Sequence, residues 1–410
     1  MGESNRTRAG VSALEVLVAG GGVAAAELLI ALRALADDSV DVTLLCPQDA
    51  LTYRPLAVAA PFGRNGTQSH SIDKLVADFG ATRVRGELAW VSPSAHTAFT
   101  SDGSSLAYDV LVVATGALRE PAFQHALTFR GYEDSEELRA LVEDLEQGRA
   151  SRVAFVATPG AGWSLPIYEL ALMTAARVPD AELVIVTPEE RPMAMFGTTA
   201  SDDVARMLED AGIAFEGSAR PDVPEAGRVS LGPGGRELRC DRVVALPRLR
   251  GLEIQGLPAD EEGFLRTTSF GHVLGVKDVY AAGDGTSFPI KQGGVACQQA
   301  DVVAEVIARR AGANLTPTGY RPTLRGVLLT GDRSRWLRHD APRHDPETSV
   351  AADHFLWWPP SKIAGQFLAP YLGEAVAAEG SSVAGRAVIT TGRDNGMVEL
   401  VTLDQPSRSV

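Results

Sequence analysis

The chain has 410 residues, which at roughly 150 residues per domain is enough for two or three domains. Apolar residues make up 45% and charged residues 22%, a composition that excludes a disordered chain. With 38 basic against 52 acidic residues the net charge is −14, which argues against nucleic acid or anionic lipid as a partner.

Three cysteines, Cys46, Cys240 and Cys297, form no C-x-x-C pair, as expected for a reducing compartment. The stretch Met1 to Ser12 shows no apolar segment of secretory type, and no uninterrupted apolar run reaches the roughly eighteen residues a spanning helix needs. A cytoplasmic location is the expectation.

In chain order, the apolar run Glu15–Ala19 stops at Gly20–Gly21–Gly22, and Val23 to Leu35 has helix-forming composition. A second apolar run, Val40–Leu45, follows. This is a βαβ unit, which implies a parallel sheet. Asp109–Val113 reads as a buried strand and Ser135 to Gln147 as a charged helix. The βαβ grammar restarts at Arg152: Val153–Ala157 is a strand, Pro159–Gly160–Ala161–Gly162 a turn, Tyr168–Met173 a helix and Leu183–Val186 the second strand. Gly217 to Arg236 reads as loops or a hairpin. Turn-forming residues after Ala313 and the cluster Trp357–Trp358–Pro359–Pro360 mark a third, smaller module. The expected architecture is α/β, with two Rossmann-like dinucleotide-binding domains, the first discontinuous and the second inserted in it, plus a C-terminal cap. The expected boundaries are 12–125 with 245–320, then 126–244, then 321–410.

Gly20-x-Gly22-x-x-Ala25 lies between a strand and a helix. Gly20 allows the tight turn and Gly22 lets the backbone approach a pyrophosphate. The small Ala25 permits close packing, and the helix start, with Val23 and Ala24 in its first turn, offers free N–H groups to the anion. An acid is expected at the end of the second strand to hold the ribose. That position falls at Cys46, a poor acceptor, with Asp49 three residues on as a substitute.

Two more segments complete a pattern. Tyr108–Gly116 is a strand ending in Ala114–Thr115–Gly116, and Asp278–Asp284 is a strand ending in Gly283–Asp284, followed by a helix from Gly294. In order and spacing the three segments resemble the FAD-binding domain of the two-dinucleotide-binding-domain flavoproteins, the pyridine nucleotide-disulfide oxidoreductase superfamily. The resemblance implies FAD as cofactor, with Thr115 and Gly116 against the flavin nucleotide and Asp284 on the ribityl chain. Gly294 and Val295 then stand at a helix start that faces the ring and favours negative charge there. It further implies contacts from Gly20, Gly22, Val23, Ala24, Cys46, Ala89, Ala114 and Gly283. Thr52–Tyr53–Arg54–Pro55–Leu56 looks like a loop of type II NADH dehydrogenases and sulfide:quinone oxidoreductases, in which the arginine lies near the flavin; a solvated arginine in a turn is the alternative.

The second βαβ unit departs from a nicotinamide site. Leu165 stands at the third small position, and Val184–Val186 ends in Thr187–Pro188–Glu189, with no acid where the ribose would need it. Pro159–Ala161 with Pro166–Ile167–Tyr168–Glu169, and the run from Thr187 to Gly197, look more like sulfide:quinone oxidoreductases and flavocytochrome c sulfide dehydrogenases. In those relatives the domain keeps its fold without using a nicotinamide. They carry a redox cysteine just before the Pro-x-Tyr-Glu stretch, where this sequence has Trp163.

Cys297, one turn into the helix that faces the flavin, is a candidate reactive thiol, the alternative being a packed helix residue. Cys297, Lys291 and Trp163 are therefore the candidate catalytic residues. Phe355–Pro360 and Lys362–Leu372 offer either an apolar mouth for a planar acceptor or an aromatic core. The seven histidines are scattered and suggest no metal. The expected activity is FAD-dependent electron transfer from a small donor to a quinone-like acceptor. The alternatives are an NAD(P)H dehydrogenase, and a non-catalytic descendant with weak FAD binding. Peripheral membrane contact and homodimerisation are left open.

Overall fold

A computed structural model describes residues 13–63, 68–340 and 348–373 of the protein. The first strands and helix are β1 (Leu14–Ala19), α1 (Val23–Ala36), β2 (Val40–Leu45), β3 (Thr82–Val84) and β4 (Val110–Val113). A second group follows: β5 (Leu127–Thr128), α2 (Ser135–Glu146), β6 (Arg152–Val156), α3 (Leu165–Arg177), β7 (Glu182–Val186), α4 (Gly197–Asp210), β8 (Ala214–Glu216) and β9 (Arg242–Ala245). The chain then returns to the first group with β10 (Val279–Ala281) and α5 (Gly293–Arg310). It ends in β11 (Thr323–Leu328), β12 (Arg335–Asp340), β13 (Val350–Ala352) and the short α6 (Leu368–Leu372).

Two parallel five-stranded sheets result, ordered β10-β4-β1-β2-β3 and β5-β9-β6-β7-β8. The inner strands β4 and β6 are buried almost throughout, VLVV and the last four residues of RVAFV, because both faces are covered, as parallel sheets require. In the first sheet Ala19 pairs with Leu45 and with Val113, and Val113 with Ala281. This register brings the loops at Gly20, Cys46, Ala114 and Ala282 to one edge, where α/β sheets bind their ligands. The second sheet repeats the arrangement with Val156 beside Val186 and Ala245.

An antiparallel ribbon, Ala117–Glu120 on Arg248–Gly251, joins the two units and sets Arg119 opposite Leu249. Residues Asp222–Arg239 form a three-stranded meander, so the expected hairpin exists with one strand more. The third module is the β11-β12-β13 sheet. Its aromatics form a local core of Trp336 against Phe355 and Trp357, while Trp358 is 54% exposed. Glu374 to Val410, where the composition suggests no membrane-binding amphipathic helix, lies outside the described residues; among those described, no helix is long and apolar enough to cross a membrane.

Candidate functional site: two dinucleotide turns and the cleft between them

At the first turn Gly20 has φ +130°, and a side chain there would collide with the Ala114 carbonyl oxygen. Gly22, in contrast, has nothing within 4 Å of where a Cβ would stand. Helix α1 starts there with no side-chain cap, and among the described residues nothing accepts from the N–H groups of Val23, Ala24 and Ala25. Open space and unpaired donors at a helix N-terminus fit a pyrophosphate. Ala24 closes the turn from behind, its methyl 3.1 Å from where a Gly283 Cβ would lie. Because Gly22 is extended and unobstructed, Gly22→Ala will leave stability nearly unchanged and weaken FAD binding roughly tenfold to a hundredfold, about 1.4–2.8 kcal/mol. Denaturation midpoints together with fluorescence titration of FAD into apoprotein check this.

Cys46 is fully buried, its thiol directed at the Gln48 carbonyl oxygen 3.8 Å away, and burial pushes the thiol up. It therefore turns inward rather than toward a ribose. Asp49 is held by Arg83 and Arg85, which keeps its carboxyl low and engaged. The nearer polar group is the side chain of Gln48, whose Oε1 lies 3.1 Å from where a Gly21 Cβ would stand. Ala89 is exposed on the strand Leu88–Ser92.

At the other end of the cleft, Gly116 has φ +76° and open space beside it. Asp284 is mostly surrounded by protein yet keeps some exposed surface. Burial raises its carboxyl, and Arg119, Lys291 and Arg54 pull it down. Arg119 is itself desolvated, with Arg54 close enough to disfavour its charge, and among the described residues it has no hydrogen-bond partner. Arg54 opens the 3₁₀ stretch Arg54–Phe62. Three cations thus converge on one carboxylate. Helix α5 begins nearby, and the Gln292 side chain accepts from Gly294 N–H at 2.9 Å, so Gly294 is capped by the protein's own amide. Val295 is buried behind it.

Lys291 is buried, with its ammonium 3.8 Å from the Phe264 ring centroid and donating to the Thr286 carbonyl. Desolvation lowers it to about 8, against the pull of Asp284, Asp260 and Glu262. Trp163 is half-buried, edge-on to Phe196 at 5.7 Å. Cys297 corrects the expectation of a reactive thiol. It is fully buried, and burial together with the adjoining acids Glu27 and Asp301 pushes it well above an ordinary thiol, outweighing the helix start.

The second turn is built differently. Gly160 and Gly162 have φ +103° and +73°, but the space beside Gly162 is filled by Lys291 Cγ, 2.5 Å from where a Cβ would stand, and by Leu249 Cδ1 at 3.1 Å. Lys291 N–H donates to the Gly162 carbonyl and Leu249 N–H to the Gly160 carbonyl. Helix α3 starts at Leu165, Pro166 has no N–H, and Ile167 N–H is already spent on the Ser164 carbonyl. Glu189 turns into the protein, where its Oε2 accepts from Tyr168 OH at 2.7 Å and burial raises it. Among the described residues, the space beside Gly162 is filled, two of the first three helix positions offer no free N–H, and no acid stands at the ribose position.

Beside this turn Lys362 of the third module and Glu169 of α3 form a buried ion pair at 2.5 Å, and Glu169 also accepts from Leu329 N–H at 2.9 Å. Sequence reasoning missed Arg119, Gln48 and the Glu169–Lys362 pairing. Arg119, three residues past Gly116, could have been found from its place on the ribbon; a pair 193 residues apart leaves no local signal. Among the described residues no group of three or more His, Cys, Asp or Glu could hold a metal ion.

A parallel sheet carrying an open dinucleotide turn, joined by a two-stranded ribbon to a second sheet of the same design, defines a two-domain flavoprotein oxidoreductase. The chain belongs to the pyridine nucleotide-disulphide oxidoreductase family, whose model matches residues 14–300, and it is an FAD-dependent oxidoreductase. It is similar to the sulfide:quinone oxidoreductase of Aquifex aeolicus, with TM-score 0.74 and 20% identity over 83% of this chain and 87% of that one. It is also similar to NDH2 from Plasmodium falciparum, with TM-score 0.64 and 13% identity over 84% and 92%. By sequence it is 26% identical over 293 residues to the ferredoxin–NAD(+) reductase component of the p-cumate 2,3-dioxygenase system of Pseudomonas putida, covering 67% of this chain and 68% of that protein.

Proposed function

We propose that the protein takes electrons from a small donor other than a nicotinamide and passes them to a quinone-like acceptor on the face covered by the third module. The observation that carries this reading is the contrast between the two turns: the first is open with three free N–H groups, the second filled by Lys291 and Leu249. FAD, when bound, supplies the ring that accepts and returns electrons. On this reading Gly20, Gly22, Val23 and Ala24 hold its pyrophosphate, and Ala114, Thr115, Gly116, Gly283, Asp284, Gly294 and Val295 line its flavin side. Residues 12–125 with 245–320 form the FAD unit, 126–244 the second unit and 321–410 the cap. Arg54, Arg119 and Lys291 give the ring end a positive field suited to charge accumulation. Leu356, Trp357 and the exposed Trp358 supply apolar surface for a planar acceptor, in a cytoplasmic protein that meets its acceptor at the membrane surface.

An anaerobic visible spectrum of the holoprotein tests the donor. NADH will leave the flavin band intact over minutes, and dithionite will bleach it. Prompt bleaching by NADH would overturn the reading and restore an NAD(P)H dehydrogenase.

A further inference from the structure

Glu27 is wholly buried in the middle of α1, among alanines and leucines. Its two carboxylate oxygens accept from Phe367 N–H at 2.9 Å and Leu368 N–H at 2.6 Å. The segment that ends there runs along the start of α5. Ile363 Cγ1 is 2.8 Å from where a Gly293 Cβ would stand, and Ala364 N is 3.7 Å from the corresponding point on Gly294. At Gly365 a side chain would meet Glu27 Oε2 at 2.7 Å and Cys297 Sγ at 2.9 Å, so the segment lies directly on both. Tyr53 OH accepts from Ile363 N–H at 3.0 Å.

One turn after Cys297 on α5, Asp301 is hydrogen-bonded to Glu27, while its Oδ1 is buried without a partner. The charged and titratable groups facing it are Glu27 from α1, Cys297 and Glu305 from α5, and Arg325 from β11. Arg325 Nε is also unpartnered, and Arg338 and Asp340 of β12 act on it with opposite sign. Burial, then the charge of Glu27, pushes Asp301 up to about 9. Buried beside the charge of Glu27, Asp301 is the acid driven up, and it keeps its proton.

We propose that Glu27 and Asp301 are positioning residues: Glu27 seats segment 363–368 on the start of α5 by accepting from its backbone, for as long as the adjoining Asp301 holds its proton. When the segment lifts, water reaches the pair, and an ordinary carboxyl near 4 gives the proton up. Docking therefore takes up one proton. It is strongest below about 4, weakens as pH rises, and is lost as pH passes about 9.

Hydrogen exchange by mass spectrometry on the FAD-loaded protein tests this. Protection in peptide 363–368, corrected for intrinsic exchange, will fall about tenfold per pH unit between about pH 6 and 9. Asp301→Asn, whose amide can still donate to Glu27, will keep the segment docked and flatten that slope. Glu27→Gln will flatten it at lower protection. Alkylation of Cys297 by iodoacetamide, corrected for thiol ionisation, will follow the same three patterns. Protection in the wild type that does not change with pH, or an unchanged slope in Asp301→Asn, overturns the proposal. If Asp301→Asn loses its flavin or fails to fold, the wild type and Glu27→Gln decide by the same slopes.

Discussion

Lys362→Met will lower the unfolding free energy by about 3–5 kcal/mol, because it leaves the Glu169 carboxylate buried with one backbone donor in place of two partners. Burial raises Glu169 and lowers Lys362, so each group is driven toward its neutral form and their mutual attraction only partly offsets desolvation. The double variant Glu169→Gln, Lys362→Met will therefore recover most of the loss, since no charge remains buried. The single variant carries a pH signature as well. Its unpaired carboxyl is more easily protonated folded than hydrated, so it will be least destabilised at acid pH and lose stability as pH rises through the raised folded value. Urea unfolding of the FAD-loaded protein at several pH values measures both effects.

Gly20→Ala will produce protein without bound flavin. A φ of +130° strains any L side chain by about 1–3 kcal/mol, and the added methyl would also meet the Ala114 carbonyl oxygen. Relief requires β1 to move from β4, which separates the pyrophosphate turn from Ala114–Gly116. The expected loss of FAD affinity is at least a hundredfold, about 3 kcal/mol or more. Absorbance of the purified protein at the flavin band, with circular dichroism to show that the fold survives, checks it. Set beside Gly22→Ala, the result separates the glycine that makes the turn from the glycine that leaves room for the ligand.

Much of the architecture is local information. An apolar run ending in Gly20–Gly22 before a helix former, and another ending in Gly283–Asp284, can only be strands and turns of a parallel sheet, because the periodicity and the glycines restrict each segment separately. The βαβ units, the helix at 135–146 and the restart at Arg152 follow in the same way. The departure at Leu165 was likewise visible as a residue of the wrong size at a position needing a small one.

What fills the second turn was not visible, because Lys291 and Leu249 reach Gly162 from far along the chain, and their approach depends on how the ribbon sets the two sheets against each other. The direction of a side chain was equally hidden. Cys297 stands at a helix start, where a thiol is ordinarily activated, yet the packing of α1 against α5 surrounds it with Glu27, Asp301 and Gly365. Glu189 stands past the position where a ribose acid is expected, and the fold buries it against Tyr168. Sequence by itself determined which turns could exist and which residue types stand at them, since backbone conformation and side-chain volume are properties of short segments. The tertiary structure alone decided which turn stays open and which charges are buried together, since occupancy and desolvation depend on neighbours that the fold brings in from other segments of the chain.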